Sequence, residues 1–176
     1  MNYADIKYCD VANGEGVRVS LFVSGCTHHC KECFNKEAWD FHYGNPFTQK
    51  EIDRILEYLK PNYIAGLSLL GGEPMEPVNQ EGILPLLRVV KQTYPEKNIW
   101  CYTGYLFDKD VLDKMCKESE VTKEIVSYLD IVVDGEFMID RKNLKINFRG
   151  SYNQRIIDVK KTLDAGEIVH WEREIQ

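Results

Sequence analysis

The sequence predicts an α/β fold in the form of a partial, incomplete parallel β/α barrel. Apolar, β-rich runs alternate with helical patterns along the chain, and several of these runs end in turns of special composition. Such alternation favours βαβ units with right-handed crossovers and a parallel sheet. A complete barrel takes about 250 residues, whereas this chain has 176. We therefore expect a single domain, residues 1–176, that builds only part of a barrel.

The first strand and the first helix are clearly marked. RVSLFVSG (18–25) is apolar and β-rich, and it leads directly into the polar stretch GCTHHCKECFN (25–35). TQKEIDRILEYLKP (48–61) has apolar residues on one helical face and a proline just beyond its end. Thr48 and Glu51 have the spacing of a capping box, which predicts the start of this helix.

The remaining elements continue the alternation. YIAGLSLLGGEP (63–74) predicts a strand that stops at a double glycine, and GILPLLRVVKQTY (82–94) predicts a helix with its proline in the first turn. NIWCYTGY (98–105) and LDIVVDGEF (129–137) predict two more strands, and Asp108 is expected to cap a helix between them. In such folds the active-site and ligand-binding residues lie at the C-terminal ends of the strands, which is where these turns occur.

Composition and charge exclude several classes of function. The net charge of −6 argues against a nucleic-acid surface, because phosphate contacts are made chiefly by clustered lysine and arginine. The polar N-terminus lacks the apolar core of a signal peptide, and no apolar run approaches the ~20 residues of a membrane span. We expect a cytoplasmic protein without a nucleic-acid or membrane partner. One basic stretch lies late in the chain: Arg141, Lys142, Lys145, Arg149, Arg155, Lys160 and Lys161.

Three of the six cysteines, Cys26, Cys30 and Cys33, share one short polar stretch. In a reducing compartment such residues are expected to be metal ligands, catalytic groups or buried side chains rather than disulfides. Cys9, Cys101 and Cys116 are scattered, and the helical spacing around Cys116 predicts a core position.

Three neighbouring cysteines leave two kinds of metal site open. A structural zinc site needs four ligands, which His28, His29 or His42 would complete as a Cys3His module. A 4Fe–4S cluster held by three thiolates instead leaves one iron without a protein ligand.

The pattern Cys-x3-Cys-x2-Cys after the first strand of a partial α/β barrel resembles the signature of the radical S-adenosylmethionine enzymes. This resemblance implies that Cys26, Cys30 and Cys33 bind a 4Fe–4S cluster, and that the amino and carboxylate groups of S-adenosylmethionine chelate the fourth iron. It also implies the partial barrel of that family. No catalytic side chain beyond the cluster and the cofactor is expected.

Within that family, the sequence is similar to the glycyl-radical activating enzymes that act on anaerobic ribonucleoside-triphosphate reductase. Glu32 precedes the third cysteine, where many members have an aromatic residue, and Phe34 follows it. The resemblance implies that Glu32, Cys33 and Phe34 line the cofactor. It extends over NGEGVR (13–18), WCYTGY (100–105), VDGEF (133–137) and FRGSYNQRIIDV (148–159).

Two strand ends supply further candidate cofactor ligands. Gly71 and Gly72 allow backbone to approach a ligand, and the carboxylate of Glu73 suits an ammonium group. In the resembled enzymes the matching motif binds the methionine amine. Asp134 and Glu136 lie at the predicted end of another strand, in the same layer as the cysteines, so we expect them to contact the cofactor as well.

The resemblance implies a one-electron mechanism. The reduced cluster would cleave S-adenosylmethionine to methionine and a 5′-deoxyadenosyl radical, which would take a hydrogen from the Cα of a glycine in a loop of the reductase large subunit. Reduced flavodoxin or a similar protein would be the electron donor, since no second cysteine cluster relays electrons here.

Alternatives to this function stay open. One is another small radical S-adenosylmethionine enzyme, of the pyruvate formate-lyase activase or the 7-carboxy-7-deazaguanine synthase type. The other is the non-enzymatic zinc module, which the identity of the bound metal would distinguish from both kinds of enzyme.

Overall fold

A computed structural model describes residues 1–173 of the chain and contains a mixed sheet of seven strands. The sheet order is β3-β1-β2-β4-β5-β6-β7. The four central strands β2, β4, β5 and β6 are parallel, and the other three are antiparallel to their neighbours. In chain order the strands are β1 Asn2–Asp10, β2 Val17–Val23, β3 Asn45–Pro46, β4 Ile64–Gly71, β5 Asn98–Thr103, β6 Ile131–Asp134 and β7 Arg155–Asp158.

The predicted α/β class is confirmed, but the sheet is not purely parallel. The two longer antiparallel strands, β1 and β7, were not predicted from the sequence. β1 is largely solvent-exposed and polar, so it lacks the apolar run that marks the central strands. β7 has only four residues and begins and ends with a charge. Residues 174–176, the last three of the predicted domain, lie outside the described residues.

Helices cover one face of the sheet. They are α1 Gln49–Leu59, α2 Pro77–Thr93, α3 Cys116–Glu118, α4 Glu120–Tyr128 and α5 Val159–Ala165, and a π-helical segment, Phe107–Met115, leads into α3. Short 3₁₀ turns occur at Lys36–Trp39 and Ile139–Arg141. Within residues 1–173 no helix is both long and apolar enough to cross a membrane.

The helix boundaries follow capping chemistry. The predicted capping box of α1 is present, with Thr48 and Glu51 hydrogen-bonded reciprocally. α2 begins five residues earlier than the sequence predicted, because Pro77 occupies its first turn. Pro85 therefore lies inside the helix rather than in its first turn. It is solvent-exposed, as is Glu81 one turn before it, so water reaches the carbonyl that Pro85 leaves unpaired.

The two faces of the sheet carry different side chains because the side-chain direction alternates along each strand. In β5, Ile99 and Cys101 face the helices and join the main core, which also contains Cys116 as predicted. Trp100 belongs to a second cluster on the opposite face, and Tyr102 packs against it. Phe148 and Trp171, from the C-terminal part of the chain, cover this second cluster.

Hydrogen bonds from one buried amide join the C-terminal ends of β2 and β4. Asn79 of α2 is fully buried, and its Nδ2 donates to the carbonyl oxygens of Ser24 at 3.1 Å and Glu73 at 2.9 Å. The chain segments that follow β2 and β4 are thereby fixed to the same helix. This arrangement positions the cysteine stretch beside the double glycine.

We expect Asn79→Leu to lower the free energy of unfolding by about 2 kcal/mol, because the buried Ser24 carbonyl loses its donor in an apolar setting. Urea denaturation of the two proteins measures this difference. Glu81→Ala, an exposed change in the same helix, is the control and should alter stability by less than about 0.5 kcal/mol. Equal stability of Asn79→Leu and the wild type would mean that this amide does not hold the strand ends together.

Candidate functional site

A cavity of about 400 Å³ opens at the C-terminal ends of the parallel strands. Leu70, Tyr102 and Val133 contribute its walls from three neighbouring strands, β4, β5 and β6. Of the residues predicted for the site, the cavity is lined by Cys26, Cys30, Cys33, Phe34, Gly71, Gly72 and Glu73. It is not lined by Glu32, Asp134 or Glu136.

The cysteine stretch starts from a tightly packed glycine. Gly25 has φ of +98°, and a Cβ at this position would lie 2.1 Å from the ring of Phe41. A Cβ on Gly72 would lie 2.5 Å from the Gly25 carbonyl oxygen. The backbone of Gly25 therefore occupies much of the space that Gly72 leaves open, and only glycine fits at either position.

Backbone amides lie near two of the three sulfurs. Cys26 is buried, with the amides of His28 and His29 near its sulfur, and the amide of Phe137 is near the sulfur of Cys30. Burial raises the pKa of the Cys26 thiol to about 11 and also raises that of Cys30. Without a metal both thiols hold their protons at neutral pH, so metal binding releases protons and depends on pH.

The histidines near these cysteines contact carboxylates or an aromatic ring. Both ring nitrogens of His28 contact carboxylates, the ring of His29 stacks on Trp39, and His42 lies beside Asp40 in solvent. Across residues 1–173, no three His, Cys, Asp or Glu side chains are grouped as ligands of one metal ion. This arrangement does not supply the four convergent ligands of a Cys3His zinc site.

Glu73 is almost completely buried, and its carboxylate has a fixed orientation. The amide of Met75 donates to Oε1 at 2.8 Å, and the amide of Gly104 donates to Oε2 at 2.8 Å. The ring nitrogen Nε2 of His28 lies 3.0 Å from the same Oε2. Glu73, a predicted site residue, lines the cavity, but the preceding glycines did not reveal these partners.

His28 links Glu73 to Glu136, whose Oε1 lies 3.0 Å from Nδ1 of the ring. Burial acts to lower the pKa of His28, but its hydrogen bonds and charge interactions with both carboxylates outweigh this effect and raise the pKa. Glu136 is therefore connected to the site by its contact with His28, and it is not part of the cavity wall. Glu32 is solvent-exposed, with a φ of +58°.

A second glutamate of the GGEPMEP segment supports the cysteine stretch. Glu76 is buried, and its Oε1 accepts hydrogen bonds from both the amide and the hydroxyl of Thr27. The hydroxyl of Tyr105 approaches the same oxygen at 3.5 Å. Glu76 was not among the predicted site residues, although a second acidic residue so close to the strand end is a signal that could have indicated it.

Asp134 has contacts that differ from the predicted ones. It is fully buried, and its Oδ1 accepts a hydrogen bond from Nε of Arg155 at 2.9 Å. Its Oδ2 accepts from the amide of Phe107 at 2.7 Å and again from Arg155. These bonds, together with Asp108, raise the pKa of Arg155 above its usual range. Asp134 joins β6 to β7, so these contacts do not support its predicted role as a cofactor ligand.

Two polar atoms of the cavity wall are buried without a hydrogen-bond partner among the described residues. They are the hydroxyl oxygen of Tyr102 and Nε of Arg149. Leaving such a group unpaired costs free energy, which a hydrogen-bonding partner would recover. Together with three thiols and the Glu73 carboxylate, these groups fit a cluster and a ligand that carries amino, carboxylate and hydroxyl groups.

Residues 12–157 match the family model of a 4Fe-4S single cluster domain. Three relatives carry the name anaerobic ribonucleoside-triphosphate reductase-activating protein. The one from Pasteurella multocida is 40% identical over 89% of this chain and 96% of its own. The one from Enterobacteria phage T4 is 42% identical, with coverage of 89% and 93%. The one from Escherichia coli K12 is 38% identical, with coverage of 88% and 96%.

Arg155→Met should lower the free energy of unfolding by about 2–3 kcal/mol, because it leaves the buried Asp134 carboxylate without its cation. Urea denaturation provides the measurement. Arg141→Met, at an exposed basic position, serves as the control and should have almost no effect on stability. A loss as small as that of the control would show that Asp134 does not depend on Arg155.

Tyr102→Phe should leave the free energy of unfolding unchanged or raise it by up to about 1 kcal/mol, because the deleted hydroxyl has no partner. Tyr3→Phe is the matched control: its hydroxyl accepts from Arg54 at 3.1 Å, so this change should cost about 1 kcal/mol. Thermal denaturation of both variants tests the contrast. A clear destabilisation by Tyr102→Phe would mean that its hydroxyl has a partner in the ligand-free protein.

Proposed function

Because the chain belongs to the family of anaerobic ribonucleoside-triphosphate reductase-activating proteins, we propose that it activates such a reductase by forming a glycyl radical on the large subunit. The observation that carries the proposal is the joint presence of Cys26, Cys30, Cys33 and Glu73 in one cavity at the strand ends. A zinc module that only stabilises the fold has no need of a cavity beside its ligands.

Cys26, Cys30 and Cys33 are the proposed ligands of the 4Fe–4S cluster, with one iron left for S-adenosylmethionine. The family model supports the iron–sulfur cluster itself. Each thiolate of such a cluster binds a different iron, so the three sulfurs need not converge on one point as single-ion ligands do. The backbone amides near Cys26 and Cys30 would stabilise the thiolates.

S-adenosylmethionine is proposed to lie in the cavity at the C-terminal ends of the parallel strands. The sheet and its helices are proposed to form the partial β/α barrel that the resemblance implies. Glu73 is a suitable partner for the methionine ammonium because two amides orient its carboxylate. Phe34, Gly71 and Gly72 border the same space. Bound together, the reduced cluster and the cofactor supply one-electron chemistry that removes a hydrogen atom from a carbon and yields 5′-deoxyadenosine and methionine.

The partner is proposed to approach from the open side of the cavity. Phe34 lines this opening with its side chain 92% exposed, so it is available to contact a loop that enters. A glycine-bearing loop of the reductase large subunit would exclude water as it docks. Reduced flavodoxin or a similar protein is the proposed electron donor, and the cytoplasm is the proposed location.

The proposal predicts that the protein, reconstituted with iron and sulfide and reduced with dithionite without oxygen, forms 5′-deoxyadenosine from S-adenosylmethionine. Cys30→Ala should abolish this product and lower the bound iron, because a cluster ligand is lost. Chromatography of the nucleoside and iron analysis are the two measurements. Adding a candidate reductase and recording its electron paramagnetic resonance spectrum tests for the glycyl radical.

Cys9→Ser is the control for this experiment, since Cys9 is exposed and does not line the cavity. It should retain both iron and product. Stoichiometric zinc with no iron in the wild type would refute the proposal, and so would full activity in Cys30→Ala.

A further inference from the structure

One cationic side chain in the cavity wall has no counterion among the described residues. Arg149 is the only arginine or lysine that lines the cavity, and it forms no salt bridge within residues 1–173. Its Nη1 donates to the carbonyl oxygen of Gln154 at 3.0 Å, whereas its Nε is buried without an acceptor. A partly buried guanidinium with an unpaired N–H favours an anionic ligand with acceptor oxygens.

The segment that carries Arg149 is held firmly. The side-chain oxygen of Gln154 accepts hydrogen bonds from the amides of Gly150 at 2.9 Å and Ser151 at 3.2 Å. Its side-chain nitrogen donates to the carbonyl oxygen of Gly135 at 2.9 Å. Gln154 thus ties the arginine segment to the residue that follows β6, which fixes the backbone of Arg149 relative to the sheet.

A continuous set of hydrogen bonds also joins this segment to Glu73. Asn153 donates to the backbone carbonyl of Glu136 at 2.8 Å, and the Glu136 carboxylate meets His28, which contacts Glu73. Gly150 also lies close to the ring of Phe137, whose amide is near the Cys30 sulfur. Arg149 therefore belongs to the wall that also holds Glu73 and the cysteine stretch.

We infer that Arg149 binds the carboxylate of S-adenosylmethionine, an inference that rests on the proposed function. At neutral pH the carboxylate is the only anionic group of this ligand, whose ammonium and sulfonium groups are cationic. Among the residues that the structure describes, the cavity wall correspondingly contains one buried carboxylate, Glu73, and one arginine, Arg149. Nε and Nη2 of a guanidinium form a planar fork that matches two carboxylate oxygens, which a lysine cannot reproduce.

The test is a binding measurement on the cluster-loaded protein, with the cluster oxidised and no reductant present, so that no ligand is consumed. Anaerobic calorimetry compares S-adenosylmethionine with decarboxylated S-adenosylmethionine. For Arg149→Met we expect about 10- to 100-fold weaker binding of S-adenosylmethionine, because a charge-assisted pair is lost. The decarboxylated ligand should bind to Arg149→Met and to the wild type with equal affinity.

Two further variants complete the design. Arg149→Lys keeps the charge but not the fork, so it should lose about 3- to 10-fold in affinity, again only for the ligand with a carboxylate. Arg141→Gln removes an exposed charge of the same basic stretch and should bind both ligands as the wild type does. Iron content and thermal unfolding verify that each variant is folded and loaded.

The outcomes separate this inference from the proposed function. Loss of affinity confined to S-adenosylmethionine supports the role of Arg149. Unchanged binding by Arg149→Met and Arg149→Lys overturns that role, as does an equal loss for both ligands, which would indicate a general effect on the cavity. If the cluster-loaded wild type binds neither ligand, the proposed function itself fails, and this inference fails with it.

Discussion

The close approach of two backbones, at Gly25 and Gly72, is the constraint on which the site depends. The amide of Glu73 donates to the Gly25 carbonyl at 2.8 Å, and the Asn79 amide group holds the carbonyls on both sides of this contact. A side chain on Gly72 would force the two segments apart. Because of this contact, the stretch with the three cysteines and the buried carboxylate of Glu73 face one cavity, although about 40 residues of chain separate them.

A second consequence of this arrangement is electrostatic. Glu73, His28 and Glu136 form one hydrogen-bonded series in which both carboxylates are held by protein groups before any ligand enters. Preorganised groups of this kind lose little freedom when a ligand binds, which favours affinity and orientation together. Arg155 and Asp134 also form a fixed pair of opposite charges, which joins the last two strands, β6 and β7.

The sequence predicted the parts of the structure that depend on local pattern. The central strands, the capping box at Thr48 and the cysteine stretch all have signals within a few residues, and the structure contains each of them. The antiparallel strands β1 and β7 were missed because edge pairing leaves little apolar periodicity. Asp134 and Arg149 were hard to assign for a different reason: their partners are distant in the chain, and a charged residue looks the same in a sequence whether it is paired or not.

The edges of the sheet also bear on the behaviour of the protein at high concentration. Strand β3 is only two residues long and ends in Pro46, which has no N–H group to offer an incoming strand. At the opposite edge, the segment around His170 pairs with β7, and the amide of Trp171 donates to the Ile156 carbonyl. The edge at β7 is therefore covered, whereas β3 pairs only with Asn2 and Tyr3 of the nine-residue strand β1. Along the rest of β1, two register irregularities and the charged side chains of Asp5, Lys7 and Asp10 disfavour edge-to-edge pairing with a second molecule.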